Sequence, residues 1–213
     1  MQIKLFEFNS VRVNTYLIYE EVKEAILIDC GASTKKECVE LREFIDFHHL
    51  KLKHLINTHL HFDHVLGNHF IYETYGLRPQ YHQLEESMPD LKIQATIFGF
   101  PIDYQPIIAD CYLNEGDIIS LFGDITLKTF LTAGHSPGSL SFYCEKSNCM
   151  FTGDALFYHD IGRTDLWGGN QDILINSIKN KIFTLPNNTK IFPGHGQSST
   201  VKEEKQHNPY LHT

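Results

Sequence analysis

Apolar and polar residues alternate at the start of the chain. Ile3, Leu5 and Phe8, then Tyr16 and Ile18 beside Leu17 and Tyr19, predict two strands. Residues 25–31 (AILIDCG) form a short apolar run ending at an acid and a glycine, which reads as a buried strand followed by a turn. Ser33 and Thr34 are candidate caps for a helix reaching about Phe47, with Val39, Leu41, Phe44 and Ile45 as its apolar positions. A second buried strand is expected over 54–57, and a helix over 65–75 that stops at Gly76. Residues 83–89 and 90–98 predict short helices, and 99–108, with Pro101 and Pro106, a loop. The pattern then turns to strands at 118–121, 125–130, 139–144 and 149–152, with a hairpin turn at 145–148. A helix over 171–183, a strand over 190–192 and a short helix over 201–207 complete the order. Mixed sheets packed face to face with helices outside fit this order, as do other α/β or α+β layouts. No repeat, linker or low-complexity tract interrupts it, so residues 1–213 are expected to form one domain.

Composition narrows the classes. With 42% hydrophobic and 12% aromatic residues, the chain is neither disordered nor fibrous. Eighteen Lys+Arg against 26 Asp+Glu give a net charge of −8, spread along the chain, which repels polyphosphate and argues against a nucleic-acid partner. No run approaches about 18 consecutive apolar residues, so neither a transmembrane helix nor a membrane partner is expected. The first 20 residues do not read as a secretory signal, and a cytoplasmic location is expected. Five cysteines without CxxC spacing suit reduced thiols, and nothing supports a Cys144–Cys149 bridge. Nothing in the sequence specifies an oligomer.

Thirteen histidines are the unusual number, because imidazoles titrate near neutrality and bind metals. Directly after the strand HLIN comes Thr58-His59-Leu60-His61-Phe62-Asp63-His64. Alternation along an extended segment puts His59, His61 and Asp63 on one side, and a turn returns His64 to the same centre. Imidazoles and a carboxylate suit Zn, and also Fe or Mn. So many ligand-type groups crowded together need a cation to offset their desolvation and repulsion. Further candidates leave later strands on glycine-flanked loops: His135 in AGHSPG, Asp154 in FTGD and His195 in FPGHG. A lone histidine after a strand is ordinarily structural. Seven ligand-type residues repeated at strand ends are not.

THLHFDH, GHSPGS, TGD and PGHG, in that order, resemble the metallo-β-lactamase fold superfamily over essentially the whole chain. The resemblance implies a four-layer αββα sandwich, two mixed sheets flanked by helices, with metals at one sheet edge. It implies two divalent ions, Zn foremost, with His59, His61 and His135 on the first, Asp63, His64 and His195 on the second, and Asp154 bridging. Asp29 matches the acid of the family's LIDxG strand. It is expected either to support the metal histidines from behind or to cap a turn at the strand end. Residues 161–170 (IGRTDLWGGN) and the ending GHGQSSTVKEEKQHNPYL resemble the short type II glyoxalase-like hydrolases. Arg163 and Asp165 are expected to brace that loop rather than act in the chemistry. Trp167 stands where that subfamily commonly has proline, and both a role at the substrate mouth and plain packing are open. The remaining histidines (His48, His49, His54, His69, His82, His159, His207, His212) lack ligand spacing. Of these, His159 is near enough in sequence to the loop to line a pocket.

Three departures select a chemistry within the resemblance. Class B β-lactamases place Cys or Ser at the Asp154 position and are exported, so antibiotic hydrolysis is not expected. RNA-processing relatives carry extra domains and basic surfaces. Full-length type II glyoxalases continue into a helical domain that the 18 residues after His195 cannot form. The reading is a metal-dependent hydrolase of a small thioester such as a hydroxyacyl-glutathione, working through a metal-bridging hydroxide that Asp63 and Asp154 orient. The alternative is a mononuclear iron persulfide dioxygenase of the same fold, which typically has Ala-His then Tyr where this chain has Gly194-His195-Gly196.

Overall fold

The computed structural model describes residues 1–21, 23–121 and 125–211; His212 lies outside them. Two mixed sheets carry the fold. The first runs β1 (Gln2–Phe8), β2 (Val13–Tyr19), β3 (Glu24–Ile28), β4 (Lys51–Ile56), β5 (Pro79–Gln80) in spatial order. β1, β2 and β3 are antiparallel neighbours, and β4 and β5 continue in parallel. The second contains β6 (Ile118–Ser120), β7 (Thr126–Leu131), β8 (Leu140–Cys144), β9 (Cys149–Gly153), β12 (Lys190–Pro193) and β13 (Ser199–Thr200), in the order β13-β12-β9-β8-β7-β6. Only β9 and β12 pair in parallel within it. A small separate hairpin joins β10 (Leu156–Phe157) and β11 (Asp160–Ile161).

Every residue of β2 is buried, as expected of a strand covered on both faces. Tyr16, Ile18, Ile26, Ile28 and Ile56 of the first sheet pack against Leu127, Leu140, Phe142 and Phe151 of the second, forming the core between the sheets. The opposite face of the first sheet is covered by α1 (Lys35–Phe47) and α3 (Asn68–Tyr75) through Leu41, Ile45 and Ile71. That of the second is covered by α5 (Gln171–Asn180) and α6 (Val201–His207) through Leu174, Ile178 and Val201. The result is helix, sheet, sheet, helix, the four-layer sandwich expected. α1 begins at a capping box: Thr34 accepts from the backbone N–H of Glu37, and Glu37 accepts from that of Thr34. No described helix is long and apolar enough to cross a membrane, and all five cysteines are free thiols.

Three expected elements differ. The strand before the THLH motif starts at Lys51 rather than His54, because the polar Lys51 and Lys53 face outward while Leu52 faces in. The helix expected over 65–75 is two: α2 (Phe62–Val65) and α3, separated at Leu66–Gly67. Gly67 packs directly on Cys30, where a Cβ would collide with its sulfur. The helix expected over 171–183 ends at Asn180, and Ile182–Thr184 form a separate 3-10 turn. β5, β10, β11 and β13 have no counterpart in the sequence pattern, since two residues carry no readable period. Residues 91–97 form α4 (Leu91–Ile97), one of the expected short helices.

Candidate metal centre

Strand direction brings the motifs together. β3 is parallel to β4, and β9 to β12; β7 shares the direction of β9 because β8 is antiparallel to both. Asp29, residues 57–64, His135, Asp154 and His195 all follow the carboxyl ends of these strands. The two sheets are joined there by hydrogen bonds from Leu140 N to Thr58 O and from Asn14 N to Gly194 O, both 2.7 Å.

His61 has extended backbone and precedes α2, so Asp63 and His64 ride a helical turn. This corrects the expectation that Asp63 shares an extended segment with His59 and His61. The turn carries Asp63 Oδ2 to 3.1 Å from His195 Nε2. His61 Nδ1 lies 2.8 Å from His135 Nε2, which lies 3.3 Å from His59 Nε2. His64 Nε2 lies 3.3 Å from His195 Nε2. Asp154 lies between the two groups: Oδ1 is 3.3 Å from His64, and Oδ2 is 3.5 Å from His135 and 3.6 Å from His195. The structure thus brings together all seven residues singled out from the motifs, in trios able to hold a metal: His59/His61/His135, His59/His64/Asp154 and Asp63/His64/His195.

Outer partners orient the rings. His135 Nδ1 donates to Arg163 O at 2.7 Å, His64 Nδ1 to Asp29 Oδ2 at 2.9 Å and His195 Nδ1 to Arg12 O at 3.2 Å. Thr58 Oγ1 gives its proton to Asp29 Oδ2 at 2.6 Å, so it accepts from His59 Nδ1 at 2.9 Å. With those outer nitrogens engaged, His59, His64, His135 and His195 turn Nε2 inward. His61 instead turns Nδ1 to the same centre, its Nε2 being buried without a partner. The facing ring nitrogens lie 2.8–3.3 Å apart, and Asp154 Oδ1 is buried without a hydrogen-bond donor. This donor set fits divalent cations.

Electrostatics divide the cluster. Burial, reinforced by its histidine neighbours, holds His59 well below the usual imidazole range and His61 down at about 3. His135 is lowered for the same leading reason. Burial also opposes charge on His64 and His195, yet the carboxylates of Asp154 and Asp63 overcome it and raise both. Burial would raise Asp154, but the positive ends of His64 and His195 hold it well below the carboxylate range.

Two glycines are required by close approach. A Cβ on Gly194 would collide with Asp154 Oδ1, and one on Gly162 with the Asp154 carbonyl. A cavity of about 440 Å³ opens onto the cluster, walled by Phe98, Phe100, Phe157, Ile161 and Leu166, with Arg163 at its edge.

Asp29 sits behind His64 and Thr58, as one of its two expected roles required. Arg163 and Asp165 pair at 2.7 and 2.9 Å, mostly exposed, and Arg163 meets the cluster through its carbonyl. Trp167 packs edge-on against Phe98, itself in the cavity wall. His159 points instead to Glu203, 2.9 Å away.

Sequence reasoning missed Glu85. This buried carboxylate accepts from Leu60 N at 2.8 Å, Gly138 N at 2.6 Å and Ser136 Oγ at 2.6 Å, tying the loop of His59 and His61 to that of His135. The donor-rich HSPGS loop signals that an acceptor is needed, but not that it lies 51 residues upstream of Ser136.

Comparison with known proteins agrees with this geometry. The chain is 34% identical to hydroxyacylglutathione hydrolase GloC of Haemophilus influenzae, over 100% of this chain and 99% of that one. It is 34% identical to the mitochondrial persulfide dioxygenase ETHE1 of Bos taurus, over 92% of this chain and 70% of that one. The crystal structure of the B3 metallo-beta-lactamase BLEG-1 superposes with a TM-score of 0.87 at 32% identity, covering 100% of both chains. The profile of the Metallo-beta-lactamase superfamily matches residues 9–195, from the loop after β1 through the last of the seven converging residues, and the chain belongs to that superfamily.

Proposed function

We propose that this chain is a single-domain dinuclear metallohydrolase, residues 1–213, that cleaves a small thioester of the hydroxyacyl-glutathione kind. The observation that carries the reading is Asp154, whose Oδ2 lies 3.5 Å from His135 and 3.6 Å from His195 while Oδ1 lies 3.3 Å from His64, so that one carboxylate stands between the two groups of ligands. Similarity to GloC over the full length supports the substrate class.

His59, His61 and His135 would hold one divalent ion and Asp63, His64 and His195 the other, with Asp154 between them; Zn suits the donors, as do Fe and Mn. Two such ions supply an activated water near neutral pH and positive charge for a developing oxyanion. The chain's own residues do the rest. Asp63 and Asp154 orient the attacking oxygen by accepting its hydrogen bonds. Asp29, Thr58 and the Arg163 carbonyl keep the imidazole lone pairs turned inward. Phe98, Phe100, Phe157 and Leu166 exclude water from the acyl and thiol groups, while the Arg163–Asp165 pair braces the loop whose carbonyl holds His135. Water adds to the carbonyl carbon, the carbon–sulfur bond breaks, and the thiol and carboxylic acid leave. The reaction calls on a small-molecule thioester and on no nucleic-acid or membrane partner.

One experiment tests this: elemental analysis of purified protein combined with a panel of acyl-thioesters, a chromogenic β-lactam and glutathione persulfide. Two ions per chain and thioester cleavage without oxygen uptake support the proposal. One iron per chain with oxygen consumed on the persulfide supports the second reading, which the ETHE1 similarity favours.

A further inference from the structure

A second group of ligand-type side chains converges away from the metal centre. His159 lies on the turn between β10 and β11, and Glu203 and His207 lie one turn apart on α6. Glu203 Oε1 is 2.9 Å from His159 Nε2 and 3.2 Å from His207 Nδ1, and the three ligand atoms lie within 4.8 Å of one another. A tetrahedral ion with Zn–N and Zn–O bonds of about 2.0–2.1 Å separates its donors by about 3.3 Å. The observed spacing therefore needs only small side-chain adjustments to close on such an ion.

The position of His159 is imposed rather than adaptive. Its backbone has φ 56, outside the usual range for a side-chain-bearing residue. Its N–H donates to Glu204 Oε2 at 3.0 Å. Glu204 is fully buried and also accepts from Ser199 and Asn208, and Asn208 in turn donates to Asp160 O on the same hairpin. The hairpin tip is thus pinned beside α6 with its imidazole aimed at Glu203.

We propose that His159, Glu203 and His207 form a peripheral site for a borderline divalent cation, Zn²⁺ or Cu²⁺. Two imidazoles and one carboxylate are a zinc-type donor set, and the partly exposed position leaves the remaining coordination to water. Filling the site latches the β10–β11 hairpin to α6. Phe157, Asp160 and Ile161 of that hairpin line the catalytic cavity, so the latch steadies one wall of it. The proposal does not depend on the metals or the reaction assigned to the central cluster.

The test is calorimetric titration of metal-replete protein with ZnCl₂ near neutral pH, in wild type and in the His207→Ala and Glu203→Gln variants. Wild type is expected to take up one equivalent that both variants lose, with unchanged circular dichroism and an unchanged central metal content. A parallel titration with CuCl₂ should give a nitrogen-coordinated electron paramagnetic resonance signal that weakens in His159→Ala. If wild type takes up no such equivalent, or if the variants take it up equally, Glu203 is simply a hydrogen-bond acceptor for two histidines and the site does not exist.

Discussion

Asp29 accepts from His64 Nδ1 and Thr58 Oγ1 on one oxygen, at 2.9 and 2.6 Å, while its own backbone is held at φ 52. Aspartate is among the few residues that tolerate this conformation, and asparagine tolerates it too. Asp29→Asn should therefore fold, yet remove the charge that keeps the His64 lone pair turned inward. Metal affinity should fall about 10–100-fold. Dialysis against a graded chelator with elemental analysis checks this; wild-type retention would show that Asp29 only caps the strand end.

Glu85 joins two loops, and burial pushes its carboxyl up although three donors pull it back. The folded value then exceeds the unfolded one. Between the two, the unfolded chain binds fewer protons, so this group makes stability fall as pH rises through that window. Glu85→Gln should abolish that slope, while placing an amide N–H against a backbone or hydroxyl donor. A loss of about 1–3 kcal/mol is expected near neutral pH, read from denaturant unfolding across a pH series.

Gly194→Ala should inactivate without unfolding. The new methyl would strike Asp154 Oδ1 and crowd His64 Cε1, displacing the carboxylate that faces both groups of ligands. Metal content at the His64/His195 end should drop first, and thermal melting should change little beside the loss of turnover. An active, fully loaded alanine variant would show that the loop can shift freely.

Glu37 accepts from Asn9 N at 2.6 Å, Thr34 N at 2.8 Å and Ser33 N at 2.9 Å, so it caps α1 and also ties down the β1–β2 loop. Burial alone would raise its carboxyl, but these backbone donors outweigh it and hold the value below the ordinary 4.5. The stabilisation is present above the ordinary value and disappears as pH falls through the lower, folded one. Glu37→Gln should cost about 1 kcal/mol at neutral pH and nearly nothing in strong acid, measured by chemical denaturation at both.

The sequence by itself determined the strands that bracket the motifs, the α1 cap and the residues with metal-binding chemistry. These are local properties: periodicity, a Ser-Thr pair ahead of an apolar-periodic run and ligand types crowded after apolar runs are legible within a few residues. The resemblance of THLHFDH, GHSPGS, TGD and PGHG supplied the layered fold. Only the tertiary structure decided which of these groups face one another, because His59 meets His135 across 76 positions and His64 meets His195 across 131. Glu85 stayed hidden because its partners are backbone N–H groups and a serine on a distant loop, which leave no pattern in its own segment. His159 and His207 looked solitary for the same reason: a helix and a hairpin far apart in sequence become neighbours only after the second sheet and its covering helix have packed.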